Sequence, residues 1–240
     1  MSGGYGLVKA LKIIGLVWVL GVSMNAEAGL FGFGGTSWKE EALQNDGSKI
    51  IVERSIRLGG RHEIGQEPSI REQSLVFIMP NTHQRVSWKD EYSADLGTAN
   101  FLPMQLEVAK NTAYLVASPM GCLSYNKWGR PNPPYVVFKY QDKAWKRIPL
   151  QELPIEFKQI NLAFSSPDHA AKEANHGLLS AEQIKKWNSD AQQPQYKSIL
   201  REPLPQVRIN EMCEERILYK GNWILPNDPI ARKFIDQQNK

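Results

Sequence analysis

The stretch 121–150, GCLSYNKWGRPNPPYVVFKYQDKAWKRIPL, carries the clearest strand pattern of the chain and a proline-rich segment just before it. Pro131, Pro133 and Pro134 disfavour helix, and they restrict the backbone that leads into Tyr135. A loop is therefore predicted between the aromatic residues at the two ends of this segment.

A β-hairpin is predicted directly after this loop. Residues 135–140 (YVVFKY) are rich in β-branched and aromatic side chains, which suit a half-buried pleated surface. Residues 141–143 form a polar break of hairpin length, and residues 144–150 read as the returning strand.

Similar alternations of apolar and polar residues extend back towards the N-terminus. They predict strands over residues 49–55, 72–79, 85–92, 101–108 and 113–118. In the fourth of these, Met104, Leu106 and Val108 are expected on one face. Strands joined by short turns indicate an antiparallel meander, so the fold class is mainly β, as a sandwich or a barrel-like sheet.

A weak internal repeat leaves a propeller-like arrangement as an alternative. SWKEE at residues 37–41 recurs as SWKDE at residues 87–91, and periods near 50 residues occur in propeller blades. Tryptophan in an amphipathic strand also fills a core, and the chain is short for a complete propeller of four-stranded blades.

Short helices are predicted in the C-terminal third. Ser166-Pro167-Asp168 has the composition of a helix start, and Ser180 with Gln183 matches a capping box. Residues 192–208 contain three prolines and predict an extended strap, followed by a strand at 216–219 and a helix after Asp228-Pro229.

The N-terminus has the features of a secretory signal peptide. Lys9 and Lys12 precede the apolar run 13–24, and Ala26-Glu27-Ala28 is a small-x-small cleavage motif. Twelve helical residues rise about 18 Å, which is short of the roughly 30 Å hydrocarbon core. We expect a signal peptide at 1–28, a flexible glycine-rich arm at 29–36, and a single β-rich domain at 37–240.

Export bears on the two cysteines, Cys122 and Cys213. Paired cysteines are common in oxidising compartments, so a disulfide is expected, with two buried thiols as the alternative. The chain is predicted to be periplasmic or secreted, in a bacterial envelope, with no permanent membrane span after signal cleavage. A formal net charge of +4 without long basic runs argues against a nucleic-acid partner.

Catalytic and metal motifs are absent from the sequence. His62, His83, His169 and His176 do not have zinc-ligand spacing, and no cofactor is expected. A cluster of acidic residues follows one predicted strand, namely Asp90, Glu91 and Asp95. Paired carboxylates support glycoside hydrolysis, so an envelope hydrolase is the alternative function.

The leading functional hypothesis is non-catalytic binding by the proline-rich loop. Its aromatic and basic side chains form a mixture suited to a protein or glycan partner in the cell envelope. The predicted binding residues are Tyr125, Lys127, Trp128, Arg130 and Tyr135. The alternative is that Tyr125 and Trp128 fold back to cover the end of the sheet.

The same stretch also resembles a known family. SYNKWGRPNPPY, followed by an FKY strand and a W-x-x-IPL strand, is similar to a family of uncharacterised exported bacterial proteins, over most of the mature chain. This resemblance implies no activity, cofactor or site residue.

Export generates the first testable prediction. The protein recovered from the cell envelope should begin at Gly29, because a signal peptidase reads the small residues Ala26 and Ala28. N-terminal sequencing of the envelope fraction measures this directly. A chain in the inner membrane that retains residues 13–24 would contradict the prediction.

Overall fold

A computed structural model describes residues 35–174, 177–229, 233 and 237. Its first sheet contains five strands in the order β4-β3-β2-β1-β9. These strands are β1 (Gly35–Leu43), β2 (Lys49–Leu58), β3 (Ile70–Ile78), β4 (Arg85–Asp90) and the short β9 (Leu178–Leu179). The first four pair antiparallel in sequence order, and β9 joins β1 in parallel.

The second sheet is an antiparallel meander of four strands. They are β5 (Phe101–Ala109), β6 (Thr112–Pro119), β7 (Val136–Gln141) and β8 (Ala144–Ile148). The predicted hairpin is confirmed as β7 and β8. Its two-residue turn places Asp142 and Lys143 at positive φ (54° and 62°), as a type I′ turn requires.

Short helices and one small hairpin complete the described elements. The helices are α1 (Gly121–Lys127), α2 (Pro167–Ala174), α3 (Ala181–Ser189) and α4 (Gln206–Met212), with 3-10 turns at Leu150–Glu152 and Pro194–Tyr196. The hairpin pairs β10 (Ile217–Tyr219) with β11 (Asn222–Ile224).

The two sheets face each other across one continuous apolar core. Inward residues of the first sheet, such as Leu75, Phe77 and Trp88, contact Phe101 and Phe138 of the second. The Phe101 and Phe138 rings meet edge to face with centroids 5.3 Å apart. The predicted mainly β sandwich is therefore confirmed, and the sheets do not close into a barrel or form propeller blades.

The repeated SWK segments share a buried tryptophan on the inner face of the first sheet. Trp38 of β1 and Trp88 of β4 both lie on the inner face of the first sheet, 3% and 4% exposed. They occupy different strands of one sheet, so the matching residues fill equivalent inward positions of an amphipathic strand.

A β-bulge in β5 corrects the predicted strand face. The pairing of β5 with β6 shifts between Pro103 and Gln105, and such a shift moves the following side chains to the opposite face. Leu106 and Val108 face the inter-sheet core, whereas Met104 packs on the other side of the sheet. Proline fits this position because it has no N–H to donate to the ladder.

One buried ion pair interrupts the apolar inner face of the first sheet. Arg54 Nη1 donates to Glu40 Oε1 at 2.7 Å, and both side chains are at most 1% exposed. Glu40 Oε2 also accepts from the indole N–H of Trp38, whose ring lies 5.2 Å from the Arg54 guanidinium carbon. Because both charges are desolvated, removing either partner leaves the other charge uncompensated.

Two amide side chains cover the free edge of β5. The Gln44 side chain accepts from the Val108 N–H (2.9 Å) and donates to the Leu106 carbonyl (3.1 Å). Asn161 does the same for Leu106, accepting from its N–H and donating to its carbonyl, both at 2.8 Å. These bonds satisfy backbone groups that an edge strand otherwise leaves unpaired.

Part of the C-terminal third forms a third layer on the outer face of the second sheet, whereas α2 and α3 pack against β1 of the first sheet. Phe157, Phe164 and Ile199 pack against Met104 and Val137 of that sheet. The predicted helices are confirmed as α2 and α3, and the Ser180 hydroxyl and Gln183 side chain form the expected capping box.

Some predictions fall at or beyond the limits of the described residues. The signal peptide lies outside them, and so does most of the predicted final helix. The predicted flexible arm was placed too far along the chain, because its last residues, Gly35 and Thr36, already belong to β1. The last residues of the predicted extended strap form the start of α4, a helix that the sequence analysis did not predict. None of the helices in the described part has the length and apolar character needed to cross a membrane.

Glu107 is a buried carboxyl that forms no ion pair with any cation in the described part of the chain. It is 2% exposed and accepts from the Asn45 N–H at 3.1 Å and from Asn161 at 3.3 Å. Burial raises the pKa of Glu107 to about 7, because desolvation disfavours the charged form.

This environment predicts a pH-dependent stability. Since the folded pKa is raised, the contribution of Glu107 is complete below about pH 4.5 and is lost as the pH rises through about 7. Glu107→Gln should therefore be more stable than the wild type at pH 8, by at most about 3 kcal/mol. Urea unfolding from pH 5 to 8 measures this.

The control is Glu63→Gln, which removes an exposed carboxylate from a loop. It should follow the wild-type pH profile. If Glu107→Gln also follows that profile, Glu107 does not titrate in this range.

Candidate functional site

The structure distributes the five predicted binding residues between a helix, a loop and the start of a strand. Tyr125 and Lys127 belong to α1, Trp128 caps that helix, and Arg130 lies in the loop that follows. Tyr125 and Tyr135 are both 4% exposed, so their side chains lie inside the fold. The exposed part of this set is confined to the basic residues and the edge of Trp128.

Trp128 covers the end of the inter-sheet core. Its ring lies 4.6 Å from Phe101 and 6.4 Å from Phe138, centroid to centroid. Its indole N–H donates to the Asn100 side chain at 3.2 Å. This is the packing that the alternative hypothesis for Trp128 describes.

Lys127 is held at the surface by an acidic loop. Its ammonium group donates to Asp95 at 2.7 Å and to the Ser93 hydroxyl. Burial acts to raise the pKa of Asp95, but the hydrogen bonds from Lys127 and Ser93 hold this pKa below its usual value.

Arg130 links the loop to the disulfide. Its guanidinium donates to the Asn126 side chain (3.1 Å) and to the Cys213 carbonyl (2.9 Å). The predicted disulfide between Cys122 and Cys213 is confirmed, with Cα atoms 5.3 Å apart, within the limit for bridging.

Asn126 forms further hydrogen bonds around the disulfide. It donates to the Cys122 carbonyl and the Glu214 carbonyl, and its oxygen accepts from the Arg216 N–H at 2.9 Å. The start of α1 and the end of α4 are thus joined by one covalent bond and a shared set of hydrogen bonds.

The predicted strap is fastened to the loop at two further points. Asn132 and Leu204 exchange two hydrogen bonds, at 2.7 and 2.8 Å. The Tyr135 hydroxyl donates towards the carbonyls of Gln195 and Ser198 and accepts from the Leu200 N–H. These bonds give Tyr135 a structural role.

A cleft of about 620 Å³ opens between the proline loop, the end of β8 and the strap. Its lining residues are Pro131, Asn132, Pro133, Tyr135, Val136, Val137, Arg147, Ile148, Pro149, Leu150, Gln151, Arg201, Glu202 and Pro203. Polar and apolar surface contribute about equally to the walls, with two arginines and one glutamate among the lining residues. The volume of this cleft lies within the range of pockets that bind small ligands.

Arg201 stands in the strap wall of this cleft. Its two terminal nitrogens donate to four carbonyls, those of Leu150, Leu153, Pro154 and Phe157, at 2.6 to 3.2 Å. Burial lowers the pKa of Arg201, although a guanidinium stays charged at any physiological pH. Its positive charge is therefore solvated by neutral carbonyl groups.

Arg147 stands near the end of β8 and is exposed. Its guanidinium lies 5.6 Å from the Trp128 ring centroid and donates to the Trp128 carbonyl at 3.1 Å. Among the described residues, no carboxylate comes within ion-pair distance of Arg147 or Arg201, whereas Arg57 and Arg85 pair with Glu72 and Glu53.

The acidic residues of the hydrolase hypothesis lie elsewhere. Asp90 is 4% exposed and accepts from the backbone N–H groups of Asn100 and Phe101 and from Gln73. Burial raises the pKa of Asp90 while these hydrogen bonds act to lower it. Asp95 pairs with Lys127, and Glu91 is exposed, so these contacts provide no support for catalysis.

Within the described residues, no group of three or more His, Cys, Asp or Glu side chains is placed to hold a metal ion. Comparison with protein-family models, with curated proteins and with solved structures finds no match for this chain.

Arg147 and Arg201 are cleft residues that the sequence did not single out. Arg147 was predicted only as part of a returning strand, and Arg201 only as part of the strap. The sequence does not show which arginines lack an ion pair. In a sheet, an arginine pairs with carboxylates on neighbouring strands, and these residues can be far apart in sequence.

The disulfide should contribute strongly to stability. Cys122 and Cys213 enclose a long loop, with a sequence separation of 91. In the chain-entropy model, removing the bond from such a loop costs roughly 4–5 kcal/mol. Urea unfolding of the Cys122→Ser/Cys213→Ser double variant measures the loss.

The matched control is the wild type treated with a dithiol reductant, which should unfold at the same urea concentration as the double variant. Equal midpoints for the oxidised wild type and the double variant would show that the bond adds nothing to stability.

Proposed function

We propose that this protein is a non-catalytic binding protein of the bacterial envelope or its surroundings, and that the cleft beside the proline loop holds a partner bearing anionic groups. The observation that carries this proposal is Arg147, an exposed cleft-lining cation with no carboxylate within ion-pair distance among the described residues, beside the partly buried charge of Arg201. An anionic group is a natural partner for the exposed guanidinium of Arg147, whereas the terminal nitrogens of Arg201 are already bonded to carbonyl groups.

The rigidity of the cleft supports the proposal. One wall is the proline loop and the opposite wall is the strap, and Asn132 and Leu204 join them by two hydrogen bonds. Four carbonyl acceptors hold the Arg201 guanidinium in place. A pre-formed cleft avoids much of the ordering entropy that binding otherwise costs.

The disulfide is compatible with the proposed location. Disulfides form and persist in oxidising compartments such as the periplasm and the exterior of the cell. The bond between Cys122 and Cys213 also attaches the chain just beyond the strap wall of the cleft. In the proposed function, the binding site is therefore complete when the disulfide is formed.

A binding measurement with two anionic probes tests the proposed function. We expect the full chain to bind a labelled acidic peptide or a sulfated oligosaccharide in fluorescence anisotropy, more weakly as salt is added. Arg147→Gln should weaken binding by roughly tenfold, as expected for loss of a charged hydrogen bond.

The control is Arg85→Gln, which removes an exposed arginine from β4, away from the cleft. It should bind as the wild type does. Failure of both probes to bind, or equal weakening by the two variants, would overturn the proposal.

A further inference from the structure

The free edge of β8 is the structural feature that defines the partner more closely. In a hairpin with a two-residue turn, Gln141 and Ala144 pair by hydrogen bonds, and alternate residues then point their backbone groups away from the ladder. The N–H and C=O groups of Trp145 and Arg147 therefore face the open side of the sheet. In the described part of the chain, no other segment forms a backbone hydrogen bond with them.

The opposite edge of the same sheet is closed. Gln44 and Asn161 occupy the backbone groups of Leu106 and Val108 there, so β5 offers no equivalent row of free donors and acceptors. Considering the described residues, the second sheet is thus open to a further strand along β8 and not along β5, and the cleft begins where β8 ends.

The charges around this edge are strongly asymmetric. Lys143, Lys146 and Arg147 are exposed on the hairpin, with Asp142 as its acidic residue, and Arg201 follows in the cleft. Lys146 pairs with Asp142 at 3.1 Å, but both side chains are more than half exposed, and such pairs contribute little. The hairpin edge therefore carries three exposed cations against one carboxylate, while Glu202 lies beside Arg201 in the cleft.

The same charges disfavour a second copy of the chain as the occupant. Edge-to-edge pairing of two β8 strands would bring Lys146 and Arg147 close to their own equivalents, and like charges facing each other are destabilising. An extended chain with carboxylate side chains is instead attracted to this edge, because its negative charges are opposite in sign to those of Lys146 and Arg147.

We infer that the partner is an acidic polypeptide segment that adds to the second sheet as a strand beside β8 and extends into the cleft. This inference rests on the proposed function and specifies its partner. The peptide backbone would pair with the free groups of Trp145 and Arg147, and its carboxylates would lie near Arg147 and Arg201. Recognition by strand addition takes affinity from main-chain hydrogen bonds and selectivity from side chains.

Amide hydrogen exchange tests the inference at single residues. The probe is a capped peptide of about eight residues that alternates Glu and Val, long enough to cover the five residues of β8 and reach the cleft. With the full chain saturated by this peptide, NMR should show exchange of the Trp145 and Arg147 amides slowed by tenfold or more, on the order expected for new backbone hydrogen bonds. The Lys146 and Ile148 amides already point to β7 and should change little.

Two control peptides isolate the two components of recognition. A fully N-methylated Glu-Val peptide keeps the charges but has no amide donors, and it should lose most of the affinity. A Lys-Val peptide keeps the donors but reverses the charge, and it should not bind detectably. Binding of the N-methylated peptide at full affinity would overturn strand addition.

Paired protein variants complete the test. Lys146→Glu/Arg147→Glu should weaken peptide binding by roughly tenfold or more. The matched control, Lys185→Glu/Lys186→Glu, makes the same change of charge on exposed residues of α3 and should leave binding unchanged.

The outcomes separate this inference from the proposed function. If the peptide binds without slowing exchange at Trp145 and Arg147, the cleft binds anions but strand addition is wrong. If only the sulfated oligosaccharide binds, the proposed function stands and the acidic polypeptide is excluded. If neither binds, both are wrong.

Discussion

The covalent bond between Cys122 and Cys213 is the constraint on which the attachment of α4 and the segment after it depends. The apolar cluster at this junction is small, with Tyr125, Ile209 and Cys213 as its buried members. Burial of so little apolar surface stabilises a helix weakly. The disulfide and the hydrogen bonds of Asn126 provide the missing attachment, and the strap wall of the cleft runs directly into the segment that they hold.

Features with local causes could be predicted from the sequence. The hairpin of β7 and β8 follows from a polar break between two apolar runs, and the start of α3 follows from Ser180 and Gln183. Each depends on residues within about ten positions of one another, where propensity and capping operate. The face of Met104 was predicted wrongly, because a single bulge reverses the alternation and carries no sequence signature apart from Pro103.

The cleft could not be predicted from the sequence, because its walls are assembled from distant segments. Pro131, Arg147 and Arg201 are brought together by strand pairing and by the strap, and none of them has a local motif. The role of the acidic residues also depends on contacts with distant residues. Asp90 resembles a candidate catalytic acid in sequence, yet backbone donors from Asn100 and Phe101 make it a structural acceptor.

The distribution of charge, more than its total, distinguishes the two sides of this molecule. On the outer face of the first sheet several cations have acidic partners, as in Arg57 with Glu72 and Lys39 with Glu53. Around the open edge of the second sheet, Arg147 and Arg201 have none among the described residues. A net charge of +4 is too small to indicate a partner by itself. The positive potential of Arg147 lies beside the cleft, where a fixed backbone edge and a pre-formed wall are able to use it.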